Sequence, residues 1–296
     1  MLVVPLPYLF DRVNMYGFID KVLDKDMEPR DKEIYFDFNS LNFIRPVGVT
    51  VLNNIIGKLH KHGTEVYFRC KEPELPKKRC PMAFLDDSMF FYKHLKRTLT
   101  PSASLRPTTR PLVDVSYEGS YQYLDETISW LAKKLSMTKK SLGDVRMCLE
   151  EVFNNIGDHS DENNGSFFIQ QFPKENKVMI AISDFGIGIP GSIQKKFPFY
   201  NDSDSLKMAI QQGFTTKSTP KNRGAGLDTL LHNVVINNKG SVYIHSNHGI
   251  LVSENKNNEM DIHTKLTRGF YPGTLLEITF RTDTLEYIEE EYSWDT

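Results

Sequence analysis

Glu151, Asn155 and His159 follow one another at intervals of four, which at 100° per residue sets a carboxylate, a carboxamide and an imidazole in one row along a helix. Leu142, Val145, Leu149, Val152, Phe153 and Ile156 recur at three- and four-residue steps and supply the apolar stripe of the same helix. A solvated polar face would satisfy that row as well as a site would. Further along, Asp184 closes an apolar strand and is followed by Gly186, Gly188 and Gly191. Glycines let a backbone turn closely around a ligand, and a carboxylate at a strand end is a fixed acceptor, matched by the exocyclic amine of an adenine. A second glycine-rich stretch carries Lys217, Lys221, Arg223, Gly224 and Gly226 and opens a helical pattern over 227–235, an arrangement of backbone N–H groups and positive charge suited to phosphate oxygens.

Two other patterns compete. Residues 186–191 also satisfy the six-residue dinucleotide fingerprint, but that reading requires a continuous βαβ unit. Residues 192–204 show no clear second strand, and the fingerprint leaves Asp184 and the earlier helix without a role. His245 and His248 have the spacing of a metal pair; without further ligands, a surface turn is the expectation.

The elements that must position these residues follow from periodicity. Residues 34–38 and 64–69 read as strands around a helix whose face is Val49, Val51, Leu52, Ile55, Ile56 and Leu59, with Gly63 as its cap. Residues 71–79 are loop, and 82–95 read as one helix. Three prolines in 98–111 mark a boundary, so 1–100 is expected as one domain, 101–111 as a linker and 112–282 as a second domain. Within the second domain we expect a strand at 112–115, a helix at 121–135, the row-bearing helix, a hairpin of 165–172 with 178–183, and final strands at 241–245 and 273–280. Residues 283–296 form an acidic, solvated end.

Composition narrows the class. With 40% hydrophobic and 25% charged residues, the chain reads as soluble and globular. No apolar run approaches the roughly 20 residues of a membrane helix, and no basic region precedes the short apolar start, so no membrane association and a cytoplasmic location are expected. Cys70, Cys80 and Cys148 fit neither a disulfide framework nor a zinc site. A net charge of −2 gives no general nucleic-acid signal.

Two resemblances follow. The stretch from Asp37 to Gly48, leading into an amphipathic helix, resembles a STAS domain, the fold of anti-sigma-factor antagonists. That family places a phosphorylated hydroxyl in the turn before the helix; here the turn reads Arg45, Pro46, Val47, Gly48, with no hydroxyl at the matching positions. The ordered set of Glu151 and Asn155 on a helix, Asp184 with Gly186 and Gly188, Gly224 with Gly226, and Gly273 with Thr274 resembles the GHKL superfamily of ATP-binding domains. The two together imply an N-terminal STAS-like α/β domain followed by a two-layer α/β sandwich with a mixed sheet. The resemblance implies ATP and Mg2+ as cofactors, with Asn155 holding the metal, Asp184 accepting the adenine amine, Gly186 and Gly188 shaping its pocket, and Thr274 near the base. It also implies a lid over 191–223, Gly224 and Gly226 at the phosphates, and Glu151 as the residue that orients and deprotonates water. Lys217 and Arg223 lie within the implied lid. The implied activity is a slow Mg-dependent ATPase acting as a nucleotide-controlled switch toward a protein partner or a second copy. An anti-sigma-type serine/threonine kinase and an interaction module without turnover are the alternatives. A sensor histidine kinase is not supported, since no helical hairpin bearing a phosphoacceptor histidine precedes the ATP-type motifs.

Overall fold

The computed structural model describes residues 1–71, 80–116, 119–159, 164–212, 214 and 226–289; the side chains of 155–159 and 164 also lie outside the description. The chain begins with β1 (Leu2–Pro5), β2 (Leu9–Phe10), α1 (Met15–Val22), β3 (Glu33–Asp37), β4 (Phe43–Ile44), α2 (Pro46–Lys61) and β5 (Glu65–Arg69). β1, β3 and β5 form a parallel sheet in that order, with Leu2, Ile34 and Val66 in register. α2 starts with Pro46 at its first turn, carries Lys58, His60 and Lys61 in its last, and stops at Gly63, whose φ is +70°. Proline and cations at these ends complement the unpaired N–H groups and the helix dipole.

The single helix expected over 82–95 is instead two, α3 (Pro81–Asp87) and α4 (Phe90–Leu95), separated by Met89 in the left-handed conformation at φ 63°. The break is accompanied by side-chain bonds to backbone further along the chain. The Asp86 carboxylate accepts from Leu99 N, Thr100 N and Thr100 Oγ1, and Ser88 Oγ donates to Phe84 O. The kink turns Phe90 and Phe91 onto Phe38 and Phe68.

The second half comprises β6 (Val113–Ser116), α5 (Ser120–Leu135), α6 (Gly143–His159), β7 (Asn164–Phe172), β8 (Lys177–Asp184), α7 (Gly188–Gln194), α8 (Asp202–Ala209), α9 (Leu227–Leu231), β9 (Ser241–Lys256) and β10 (Glu259–Arg281). α9 runs on as one π-helical stretch, His232–Asn237. The sheet order is β6-β7-β8-β10-β9, and its four pairings are antiparallel where a mixed sheet was expected; parallel pairing belongs to the small N-terminal sheets. β9 and β10 are far longer than the strands read from sequence, joined through Asn257 and Asn258, both at positive φ as a two-residue hairpin turn requires.

The molecule is an α/β protein, and both faces of its five-stranded sheet are buried. Phe167, Ile169, Ile180, Ile182, Ile244 and Ile278 face Leu124, Ile128 and Leu131 of α5 and the apolar stripe of α6. Phe168, Ala181, Tyr243 and Leu275 face the other way, in one core with α1, α2 and β3. Burial on both sides explains why β8 reads as an unbroken apolar run. It also explains polar residues on α2 that amphipathic periodicity leaves over. Asn53 Nδ2 donates to Asp114 Oδ1 (2.7 Å) and Ser166 Oγ (2.6 Å), and Asn54 bonds Ser166 and Ser183. Ser183 in turn bonds the buried Tyr271 hydroxyl. Buried polar groups in a low-dielectric interior are tolerated when bonded in this way.

Candidate functional site

Asp184, Gly186, Gly188, Gly273 and Thr274 meet where the end of β8 lies against the interior of β10, with Ser246 of β9 alongside. Asp184 is the last residue of β8 and pairs with Thr274 of β10. Its Oδ1 accepts from Gly186 N at 2.9 Å, so the turn after the strand fixes the carboxylate's orientation. The Asp184 side chain is half-buried.

Backbone crowding at this corner requires glycine twice. Gly188 opens α7 at φ +73°, and a Cβ there would lie 2.6 Å from Ser246 Oγ and 2.9 Å from Gly273 O. Gly273 has φ +99°, and a Cβ would lie 2.5 Å from Asp184 O and 2.6 Å from Gly186 N. The register of β9 against β10 shifts on either side of Tyr271, which brings Ser246 opposite Thr274. Ser246 Oγ then donates to Gly273 O (2.6 Å), accepts from Ile189 N (3.0 Å) and lies 3.1 Å from Thr274 Oγ1. Ser246 thus ties α7, β9 and β10 together, and sequence reading passed it over because no spacing marks a bulge between distant strands. Tyr271 was missed for the same reason; its ring packs edge-on against Phe185, next to Asp184.

Glu151 lies one turn beyond Cys148 on α6 and is 9% exposed. Cys148 Sγ meets Leu230 O of α9 at 3.9 Å, so this side of α6 faces the helix that Gly226 caps. Burial pushes the Cys148 thiol up to about 12, a neutral core group rather than a nucleophile. The structure therefore brings Asp184, Gly186, Gly188 and Thr274 into one corner, with Glu151 and Gly226 at the facing helices α6 and α9. Asn155 is on α6, one turn past Glu151, but its side chain and that of His159 lie outside the described residues, as do Lys217, Lys221, Arg223 and Gly224.

His245 and His248 do not form a pair, and 245–248 is strand rather than a surface turn. His245 is buried, its Nδ1 2.8 Å from the Tyr16 hydroxyl, while His248 is exposed and its Nδ1 meets Gly269 O at 3.2 Å. Burial holds His245 neutral, its pKa down at about 4. Beside it, Arg12 pairs with Glu277 at 2.9 Å and stacks over Tyr243; burial raises the Glu277 pKa.

The oriented, half-buried Asp184 carboxylate fits the exocyclic amine of an adenine; the residues expected at the phosphates, Lys217, Arg223 and Gly224, lie outside the described residues. Among the described residues, no helix is long and apolar enough to cross a membrane.

No protein-family model matches the chain, and no curated protein matches it. Among solved structures, the chain is similar to the B-subunit of the DNA gyrase from Myxococcus xanthus, at 7% identity and a TM-score of 0.28. That match covers 57% of this chain and 46% of the gyrase chain, so the chain spans less than half of the protein it matches.

Proposed function

We propose that this chain is a GHKL-type ATP-binding protein in which 112–282 holds ATP with Mg2+ and the STAS-like 1–100 is its regulatory or partner-binding half. The observation that carries the reading is the corner where Asp184, Gly186 and Gly188, at and after the end of β8, meet Gly273 and Thr274 in the interior of β10. In this reading Asp184 takes the adenine amine, Thr274 stands beside the base, and Gly224 and Gly226 approach the phosphates at the start of α9. Asn155 would hold Mg2+, which supplies charge neutralisation across the phosphates. Glu151 orients and deprotonates the attacking water, a role suited to a carboxylate at the edge of a core.

Slow hydrolysis coupled to a change in protein contacts is favoured over serine phosphorylation within the chain. The turn at Arg45–Pro46, where a STAS substrate would carry its hydroxyl, lies in one cavity with Phe172. Phe172 pairs with Lys177, at the opposite end of β8 from Asp184, about 23 Å away at strand rise. Titration calorimetry of Mg-ATP against the wild type and Asp184→Asn tests the proposal. Binding by the wild type with at least tenfold loss in the variant is expected, since one charge-assisted hydrogen bond is worth roughly that factor. Equal affinity of the two proteins would remove the adenine assignment.

A further inference from the structure

A concave site lies far from the Asp184 corner just described. A cavity of about 510 Å3 opens between the start of α2, the start of α3 and the far end of β7. Its walls include the rings of Phe43, Phe84 and Phe172 together with Ile44, Pro46 and Pro81, and its polar lining is Asn42, Arg45, Arg106 and Gln170, with the Cys80 thiol at the rim. That size, an aromatic lining and a few polar groups match small-molecule sites in general.

The charges at the cavity are not equivalent. Arg106 is committed: its Nε bonds Asp87 Oδ2 at 3.0 Å, and its guanidinium stacks over Phe84, 5.2 Å from the ring centre. Arg45 makes no ion pair or side-chain hydrogen bond with the described residues; its guanidinium lies 5.8 Å from the centre of the Phe43 ring. Pro46, the first residue of the sixteen-residue α2, also lines the cavity, and the positive end of that helix adds to the Arg45 charge. Arg45 acts through space on the buried Glu277 but is bonded to no carboxylate among the described residues; beside three aromatic walls it selects a ligand with a flat apolar body and a single negative charge. We propose that this cavity binds a small aromatic carboxylate, its ring among Phe43, Phe84 and Phe172 and its carboxylate on Arg45, with the Gln170 amide as a second donor. This does not depend on the nucleotide reading, since the two places are at opposite ends of the β7–β8 hairpin.

The test uses the full chain, and the Arg45→Gln and Phe43→Ala variants report whether the ring-bearing probes occupy this cavity. Calorimetric titrations compare 2-naphthoate with its neutral isostere 2-naphthamide, on the wild type, Arg45→Gln and Phe43→Ala. Saturable binding of naphthoate is expected, with naphthamide roughly tenfold or more weaker, as loss of a charge-assisted contact predicts. Arg45→Gln should erase that preference, and Phe43→Ala should weaken both probes. Arg45 and Phe43 are both exposed, so neither variant threatens the fold, and matching thermal melts confirm it. Equal binding of the two probes, a preference that survives Arg45→Gln, or no saturable binding of naphthoate would each overturn the proposal.

Discussion

Replacing Gly273 with alanine asks whether the corner at Asp184 is as tightly built as its geometry implies. Two costs add. A non-glycine residue at φ +99° takes on backbone strain of about 1–3 kcal/mol. The new Cβ would also sit 2.5 Å from Asp184 O, 2.6 Å from Gly186 N and 2.8 Å from Asp184 Oδ1, and backbone that must shift costs a further 1–3 kcal/mol or so. Gly63→Ala is the internal control, because Gly63 has φ +70° but nothing within 4 Å of a built Cβ, leaving strain alone. Urea unfolding of the two variants should therefore show Gly273→Ala the less stable by about 1–3 kcal/mol at unchanged slope. The three atoms nearest the Gly273 methyl belong to the turn carrying Asp184, so Mg-ATP affinity should fall in Gly273→Ala and stay at the wild-type value in Gly63→Ala. Equal stability losses, or wild-type ATP affinity in Gly273→Ala, would refute the close approach and its link to the site.

Other consequences are as direct. Glu151→Gln should retain Mg-ATP binding while phosphate release falls by about 10²–10⁴, the usual worth of a general base, and unchanged release would remove Glu151 from the chemistry. Asn53→Ala strips the bonds to Asp114 and Ser166 from a side chain only 4% exposed, and should lower unfolding free energy by about 2–3 kcal/mol; a loss under about 0.5 kcal/mol would show that α2 is not pinned there. His245 and His94 are held neutral by burial, with pKa values down at about 4 and about 3. Both lie below the unfolded value near 6.5, so the unfolded chain binds more protons between, and the stability present above pH 6.5 drains away as pH falls toward 4 and 3. His245→Gln should flatten the slope of stability against pH between about 6.5 and 4, and an unchanged slope would show His245 already protonated or solvated.

What could be read in the sequence is what local periodicity encodes. Val145, Leu149, Val152 and Phe153 of α6, the core face of α2 and the β7–β8 hairpin each repeat within a few residues, and each lies where spacing put it; the side chain of Ile156 lies outside the described residues. β1 was not legible, because four residues ending in proline become a strand only by pairing with β3 some thirty positions away. α1 went unread at eight residues. The kink at Met89 is accompanied by the Asp86 carboxylate capturing backbone 13 and 14 residues ahead. β9 and β10 continue past their apolar cores into polar residues such as Glu254, Lys256 and Lys265, where strand pairing rather than composition sets the length. In the candidate site, Asp184 and its glycines announce themselves by a turn chemistry few other residues permit. Ser246 acquires its role from a register shift between strands, which only the folded chain displays.

The most direct measurement is the crystal structure of the full chain with Mg2+ and a non-hydrolysable ATP analogue. The account predicts the adenine amine within hydrogen-bond distance of the Asp184 carboxylate, the base beside Thr274, and Mg2+ on Asn155. Nucleotide density elsewhere on the molecule, or an adenine that makes no contact with Asp184, would contradict it.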